Sequence, residues 1–546
     1  MNFPFTRHHL SRKEAFLQRL FEILPGALSW TILLGMVALS ALNPILAALV
    51  IIAFDVYWIL RISYVIIFLI LAYAWLEVEK KTNWMERVQG LANVQAHLET
   101  LQRQPSKKGL KRRLSRWTHQ KELRHLLDSR SEHLSPEDVH HLVIMPVASE
   151  KMEILRAGLE SLRSGDYPST RMVVVIALEE WAEPKIKDGI AELMDLFRGA
   201  FMDLRVVVHP SEIPGEARVK GANITWAARD SADYLSRRGI PFDHVIVSCF
   251  DADTVVSASY FSCLTYNFLI CPQRQRASFQ PIPVYHNNIW DVPSFAKVLE
   301  TSSSFFILAE TTNPEKLVTF SSHSMSFKAL VEIGYWPVDM ISDDSLIFWK
   351  ALLHYEGDYR TVPMYVTLSM DVIDAGSWWK TAHSIYKQKR RWAWGVEGFP
   401  IIMRGFLAMK DQPLRKKLPH IIKMLEGHIM WATWSFMLMV IGWLPALFAS
   451  RVYSNSVVYY SAARISTIIF SLSYLNLFIL ILLGLALLPR KDVRYGFLKR
   501  LLFILQWFLL PWTNLFFAAI PALDAQTRLM FGKYMEFWVA DKRRVD

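Results

Sequence analysis

The sequence predicts an α/β domain with a mostly parallel sheet, set between two regions of membrane-spanning α-helix. Three observations lead there. Apolar residues crowd the two ends of the 546-residue chain, which is 52% hydrophobic, 13% aromatic and only 20% charged. Between them, from about residue 138 to 402, short β-branched runs alternate with amphipathic stretches. That alternation implies parallel strands with ligands gathered at their carboxyl ends.

In chain order, residues 1–80 form the first membrane region. Its apolar stretch, 27–76, is interrupted by Asn43-Pro44, Asp55 and Arg61. At about 20 residues per crossing it holds two helices. Arg7, Arg12, Lys13 and Arg19 precede the first, as in a secretory signal. A second apolar stretch follows at once without a convincing cleavage site, so the segment reads as an anchor. Two crossings from a basic N-terminus return the chain to the cytoplasm. Residues 81–137 carry Lys107, Lys108, Lys111, Arg112, Arg113 and Arg116 and read as a solvated or headgroup-facing helical linker. In the central domain the strand runs are 142–147, 172–178, 204–208 and 245–250, with helical patterns at 150–164, 184–198 and 217–237. Residues 403–427 contain an interfacial helix, and 428–523 form the second membrane region, with spans near 428–448 and 465–488. The stretch 501–523, divided by Pro511, is one span or a hairpin; the cluster Lys542-Arg543-Arg544 in the tail, 524–546, argues for the hairpin.

Composition narrows the function. The formal net charge of +11 fits a positive-inside bias and attraction to acidic membrane lipids. Nucleic acid is not an expected partner, because the basic residues flank apolar spans. Cys249, Cys263 and Cys271 offer no CxxC spacing, and the sixteen histidines no HExxH, so neither a disulfide framework nor a zinc site is indicated. The absence of an internal repeat in the sequence weakens a transporter reading.

Three motifs carry chemistry. Asp251-Ala252-Asp253 follows an apolar strand run, and residues two apart on extended chain point the same way. Two such carboxylates suit Mg²⁺ or Mn²⁺ holding a diphosphate, although a DxD also occurs by chance in loops. Ser342-Asp343-Asp344 opens an apolar-periodic stretch. These are ordinary helix-capping residues, or one carboxylate faces a cleft as a general base. Gln388, Arg391 and Trp392 share one helical face, joining a guanidinium suited to phosphate with an indole suited to a sugar ring. An amphipathic helix on a membrane surface would use the same residues.

Together, in this order, the motifs resemble the DxD, TED and QxxRW of processive family 2 glycosyltransferases, the group of cellulose, chitin and hyaluronan synthases. The resemblance implies a GT-A (Rossmann-like) cytoplasmic catalytic domain inserted between transmembrane helices. It implies that Asp251 and Asp253 bind the metal, that Asp251 also meets the donor diphosphate, and that Asp344 is the catalytic base. Arg391, with Gln388, would clamp the pyrophosphate, and Trp392 would stack near the acceptor. Lys220-Gly221-Ala222-Asn223 is similar to the family's KAGxLN segment, which makes Lys220 a donor-binding candidate. Glu150 occupies the place of the PxYNE motif, and Glu179 the base-reading position after the second strand. Phe537, Val539 and Lys542 are similar to the FxVTxK gating loop of bacterial cellulose synthase. Three departures stand out: Val147-Ala148-Ser149 before Glu150, Glu179-Glu180 in place of aspartate, and Ala540 in place of threonine.

The implied reaction is an inverting, metal-dependent transfer from a nucleotide sugar, by default a UDP-sugar, to a growing polysaccharide at the cytoplasmic face of a membrane, the plasma membrane in a bacterium. Translocation through the helices would follow. Single transfer to a lipid acceptor and a non-catalytic scaffold or transporter are the alternatives.

Overall fold

The computed structural model describes residues 3–104, 109–128, 134–448, 451–489 and 497–536. Helix α1 (Arg12–Leu42) starts with a capping box in which Ser11 and Glu14 satisfy each other's backbone N–H groups. Asn43 caps α2 (Pro44–Glu79), whose proline sits where no N–H is needed. The Asn-Pro pair therefore separates two long apolar helices, as the sequence predicts.

The basic linker behaves differently from a solvated segment. Helices α3 (Trp84–Gly90), α4 (Val94–Arg103) and α5 (Leu110–Asp128) keep most of their charges outside, with Arg87 buried against Glu79. Trp84, Val88, Leu91, Val94, Leu98, Leu123 and Leu126, however, join the core of the central domain. Apolar residues spaced among the lysines and arginines make this amphipathic packing possible, and the charge count had masked them.

The central sheet has eight strands in the order β3-β2-β1-β4-β7-β6-β8-β5. They are β1 (His140–Val147), β2 (Met172–Glu179), β3 (Asp203–His209), β4 (Val245–Cys249), β5 (Val255–Val256), β6 (Ala277–Val284), β7 (Ser324–Ser326) and β8 (Arg360–Ser369). The first four are parallel, in register from His141 opposite Met172 to Val147 opposite Leu178. Helices α6 (Met152–Arg163), α7 (Pro184–Leu196) and α8 (Lys220–Arg237) make the crossovers. Alternate residues serve opposite faces: Val143, Met145, Val174 and Ile176 enter one core, Leu142, Ile144, Val173 and Val175 the other. Burial on both sides explains why these strands read as continuous apolar runs.

The other half of the sheet departs from the expected parallel order. β7 pairs antiparallel with both β4 and β6, and β5 antiparallel with β8. None of β5 to β8 stands out in the sequence. β6 contains Pro281 and Pro283 beside a register shift, and β5 and β7 are two and three residues long. Helices α9 (Tyr260–Ile270), α10 (Ser294–Glu310), α11 (Phe327–Glu332), α12 (Asp343–His354), α13 (Trp378–Ala393) and α14 (Gly398–Ala408) complete the domain.

The chain then returns to apolar helix. Helix α15 (Leu414–Met439) merges the interfacial segment with the next span and bends by 42° into Ile441–Leu447. Val457–Leu487 is a further candidate span. The stretch 501–523, which the sequence leaves open between one span and a hairpin, lies in a continuous helical run, Leu501–Met530, which accommodates Pro511 through short 3₁₀ and π turns. Among the described residues, four helices are long and apolar enough to cross a membrane, or five with the bent pair.

Candidate active site

The carboxyl ends of β1, β2 and β4 face one cleft edge, and α8 brings Lys220 to it. Lys220 is the first residue of α8. Its Nζ lies 2.8 Å from Asp344 Oδ1, 2.9 Å from Asp251 Oδ1 and 3.7 Å from Asp343 Oδ2. One ammonium thus joins the DxD after β4 to the acidic pair at the start of α12. Burial alone would push Lys220 down, but Asp251, Asp344 and Asp343 outweigh it and hold its proton well above the usual lysine range. Burial pushes Asp343 up to about 7, opposed by Lys220 and, more weakly, by Arg391. The third motif therefore lies within electrostatic reach of the second.

The neighbouring chain fixes this arrangement. The Ser321 hydroxyl donates to Asp251 Oδ2, and Thr319 Oγ1 donates to the Asp344 carbonyl at 2.6 Å. Asp253 is 2% exposed and accepts a 2.8 Å hydrogen bond from the Asp371 N–H at Oδ2. Asn223 Nδ2, one turn into α8, donates to the Ala177 carbonyl of β2 at 2.8 Å. Gly221 is a spatial requirement. A Cβ there would lie 2.2 Å from the Pro337 carbonyl oxygen and 3.4 Å from Asp343 Cβ. Gly221→Ala is expected to push the start of α8 away from the acidic loop, costing about 1–3 kcal/mol of stability. Chemical denaturation and nucleotide titration of the variant check this; an unchanged midpoint and affinity would count against the fit.

The QxxRW helix closes the other side. Gln388 is buried on α13, and Lys389 beside it forms a buried 2.8 Å ion pair with Glu300 on α10. The Lys389 Nζ also sits 3.6 Å from the centre of the Trp392 ring, so the pair orients that indole. Tyr285 stands 6.4 Å from the same ring. Burial first, then Glu300, Asp253 and Asp251, push the Tyr285 hydroxyl well up, which places Trp392 and the DxD around one tyrosine. On its outer face α13 is tied to the Leu501–Met530 run, through Arg390 to Asp524 at 2.9 Å and Tyr386 to Asp524 at 3.1 Å.

Glu150 and Glu179 reach the same sheet edge without touching Lys220. Glu150 folds back to accept from the Ala148 and Ser149 N–H groups at 2.6 and 3.0 Å. Glu179 meets His209 Nδ1 at 3.0 Å, and His209 Nε2 meets Glu216 at 2.9 Å. Phe537, Val539 and Lys542 lie outside the described residues.

Two site residues escaped the sequence reading. His323, just before β7, is buried and kept neutral by burial, its pKa lowered to about 4, with Asp344, Lys220 and Asp251 as its charged neighbours. Only the unrecognised strand β7 could have pointed to it. Glu397 follows the QxxRW helix and accepts from the N–H groups of Ile341 and Ser342 at 2.9 and 3.1 Å and from Trp394 Nε1 at 2.8 Å. It therefore holds the acidic loop from behind. Burial raises its carboxyl from 4.5 to about 7. The folded protein keeps a proton that the unfolded chain releases, so stability falls as pH rises from about 4.5 to about 7. Asp343 acts in the same direction. Glu397→Gln is expected to flatten part of that slope in thermal melts; an identical slope would reject the assignment.

No family model matches the chain. Over 298 residues, 53% of this chain and 61% of the relative, it is 25% identical to the poly-β-1,6-N-acetyl-D-glucosamine synthase of Staphylococcus epidermidis. Over 193 residues, 34% of this chain and 41% of the relative, it is 29% identical to the protein of the same name from Staphylococcus aureus (strain COL). The chain is similar in sequence to these two synthases. It spans less than two thirds of the length of these curated relatives. Among solved structures, a mannosyltransferase from Pyrobaculum calidifontis in complex with GDP-Man and Mn²⁺ aligns with 72% of this chain and 99% of its own, at 13% identity and a TM-score of 0.39. Residues 1–349 of S. aureus TarS in complex with UDP-GlcNAc align with 74% and 95%, at 14% identity and a TM-score of 0.35. At these scores the structural likenesses assign no activity.

Proposed function

We propose that this chain is an inverting glycosyltransferase that adds sugars from a nucleotide-sugar donor to a growing polysaccharide at the cytoplasmic face of a membrane. The observation that carries the reading is Lys220, whose ammonium gathers Asp251 and Asp344, 93 positions apart in the chain, into one cleft beside Asp343. The similarity to poly-β-1,6-N-acetyl-D-glucosamine synthases supports a polymer as product, and a UDP-sugar is the donor that the motif resemblance implies by default.

In this reading the acceptor hydroxyl attacks the anomeric carbon. The bond to the acceptor oxygen forms as the bond to the diphosphate oxygen breaks, and the diphosphate leaves with the electron pair. Asp344 takes the hydroxyl proton. Lys220 and Arg391 receive the diphosphate charge, and Trp392 packs against the acceptor sugar. Glu150, Glu179 and Gln388 line the donor side. The chemistry of the site suits a hard divalent ion, Mg²⁺ or Mn²⁺, because Asp251 and Asp253 offer oxygen alone. Among the described residues no group of three or more His, Cys, Asp or Glu encloses a metal. Such an ion would rest on those two carboxylates and on donor phosphates, and would neutralise the departing diphosphate. The apolar helices beside α13 are the route we assign to the product.

The test is incubation of the purified protein in detergent with labelled nucleotide sugars, with and without Mn²⁺, followed by sizing of the product. Metal-dependent label in long polymer is the expected result. Label in a single organic-extractable glycolipid would replace the polymer by a lipid acceptor, and the lack of any transfer or donor hydrolysis would end the proposal.

A further inference from the structure

Away from this cleft, a cavity of about 410 Å³ opens at the start of α1, lined by Phe3, Lys13, Glu14, Leu17, Arg404 and Leu407 among others. Arg404, on α14, is 4% exposed. Its Nε donates to Gln18 Oε1 at 2.9 Å and one Nη to the Thr6 carbonyl at 2.6 Å. Its other terminal nitrogen, Nη1, has no hydrogen-bond partner. A buried charged donor without an acceptor is uncommon and costly, and the residue that carries it lines the cavity. The Phe3 ring lies 5.7 Å from the guanidinium and walls one side. The first turn of α1 does not supply the attraction, because Ser11 and Glu14 already cap it. Glu14 directs its carboxylate to the Ser11 N–H and hydroxyl at 3.0 and 2.6 Å. Lys13 and Arg404 are the cations that face the cavity, with Glu14, also a charged neighbour of Arg404, as the anion among them, so the two cations outnumber the one carboxylate.

What lies beside it is apolar. Phe16, Leu20 and Ile23 follow Lys13 at steps of three, seven and ten residues, which places all four along one side of α1. Those three are 69%, 46% and 37% exposed. Across from them Leu407 and Leu414 are also exposed, where α14 hands over to the apolar helix α15. The stripe leads from the cationic cavity directly into the first candidate membrane span.

We propose that this cavity binds the phosphate of a phospholipid headgroup, with Lys13 and Arg404 as its partners and an acyl chain laid along Phe16, Leu20 and Ile23. A free anion would use the cations and leave the stripe uncovered; a phospholipid satisfies both, and its chain continues into the bilayer beside the helix. Native mass spectrometry of the detergent-purified full chain, titrated with dioleoylphosphatidylglycerol, tests the site. The wild type is expected to retain one lipid under activation that strips the rest, and Lys13→Glu to bind it about tenfold more weakly. Phe16→Ser with Leu20→Ser should give a similar loss. Arg404→Gln should too, but that residue also holds Gln18 and Thr6, so exposed Lys13 carries the decision if the variant fails to fold. Equal retention by wild type and Lys13→Glu would overturn the site. A thermal shift with inorganic phosphate as large as that with the lipid would overturn the lipid as its occupant.

Discussion

Asp344→Asn is expected to lower the proposed sugar transfer by about 10²–10⁴-fold, the usual contribution of a positioned general base, with nucleotide binding retained. The expectation follows from where the carboxylate sits. Asp344 is 26% exposed and touches Lys220 on one side, so it faces the cleft and is not sealed into a helix cap. Its neighbour Asp343 is 3% exposed and points inward to the same ammonium. In the proposed reaction the two adjacent acids divide the work, with Asp343 structural and Asp344 available to an acceptor. Asparagine keeps the shape and cannot take the proton. Transfer rates in membranes, with nucleotide affinity measured by calorimetry on the same preparation, separate catalysis from binding. Near wild-type transfer by folded Asp344→Asn would remove it as the base.

Lys220→Met should have the larger structural effect. It leaves Asp251, Asp343 and Asp344 around a space with no ammonium in it, and removing one partner of a buried ion cluster costs about 3–5 kcal/mol. The lysine is 9% exposed and Asp343 3%, so water screens that pair poorly; Asp251 and Asp344, at 29% and 26%, recover part of their hydration. The loss therefore belongs near the lower end. A second change, Asp343→Asn in the Lys220→Met background, should restore part of the stability by removing the most buried carboxylate, without restoring nucleotide affinity. Urea denaturation of the two single variants and the double variant gives the coupling. Additive effects would show that the ammonium and Asp343 do not depend on each other.

The legible parts of this protein are local. Asn43-Pro44 splits two apolar helices because a side-chain cap and a missing N–H act within one turn. Strands β1, β2 and β4 read out because each is buried on both faces and carries its apolar run in a few consecutive residues, whereas the edge strand β3 is only half-buried and reads out from its valine run alone. The three acidic and basic motifs were visible as residue types at short spacing. Their joint use was legible only through their order and its resemblance to a family pattern, since each alone is consistent with a loop, a helix cap or a membrane-surface helix.

Tertiary structure decided the rest. The Lys220 contact to Asp344 spans 124 positions and the Glu397 contact to Ser342 spans 55. No periodicity reports contacts of that length, because they arise only when the crossover helix, the acidic loop and the QxxRW helix are packed together. The same holds for β7, three residues whose antiparallel place depends on β4 and β6 being present to receive it. It holds as well for α3 to α5, whose apolar side is chosen by the core they cover. The continuous run Leu501–Met530 is held to α13 through Asp524, a tie to Arg390 134 positions away. The sequence by itself determined which segments are apolar, where the first four strands lie and which residues carry charge. Folding determined which charges meet, because ion pairs and hydrogen bonds are set by distance in space, and distance in space is what a linear order of residues does not contain.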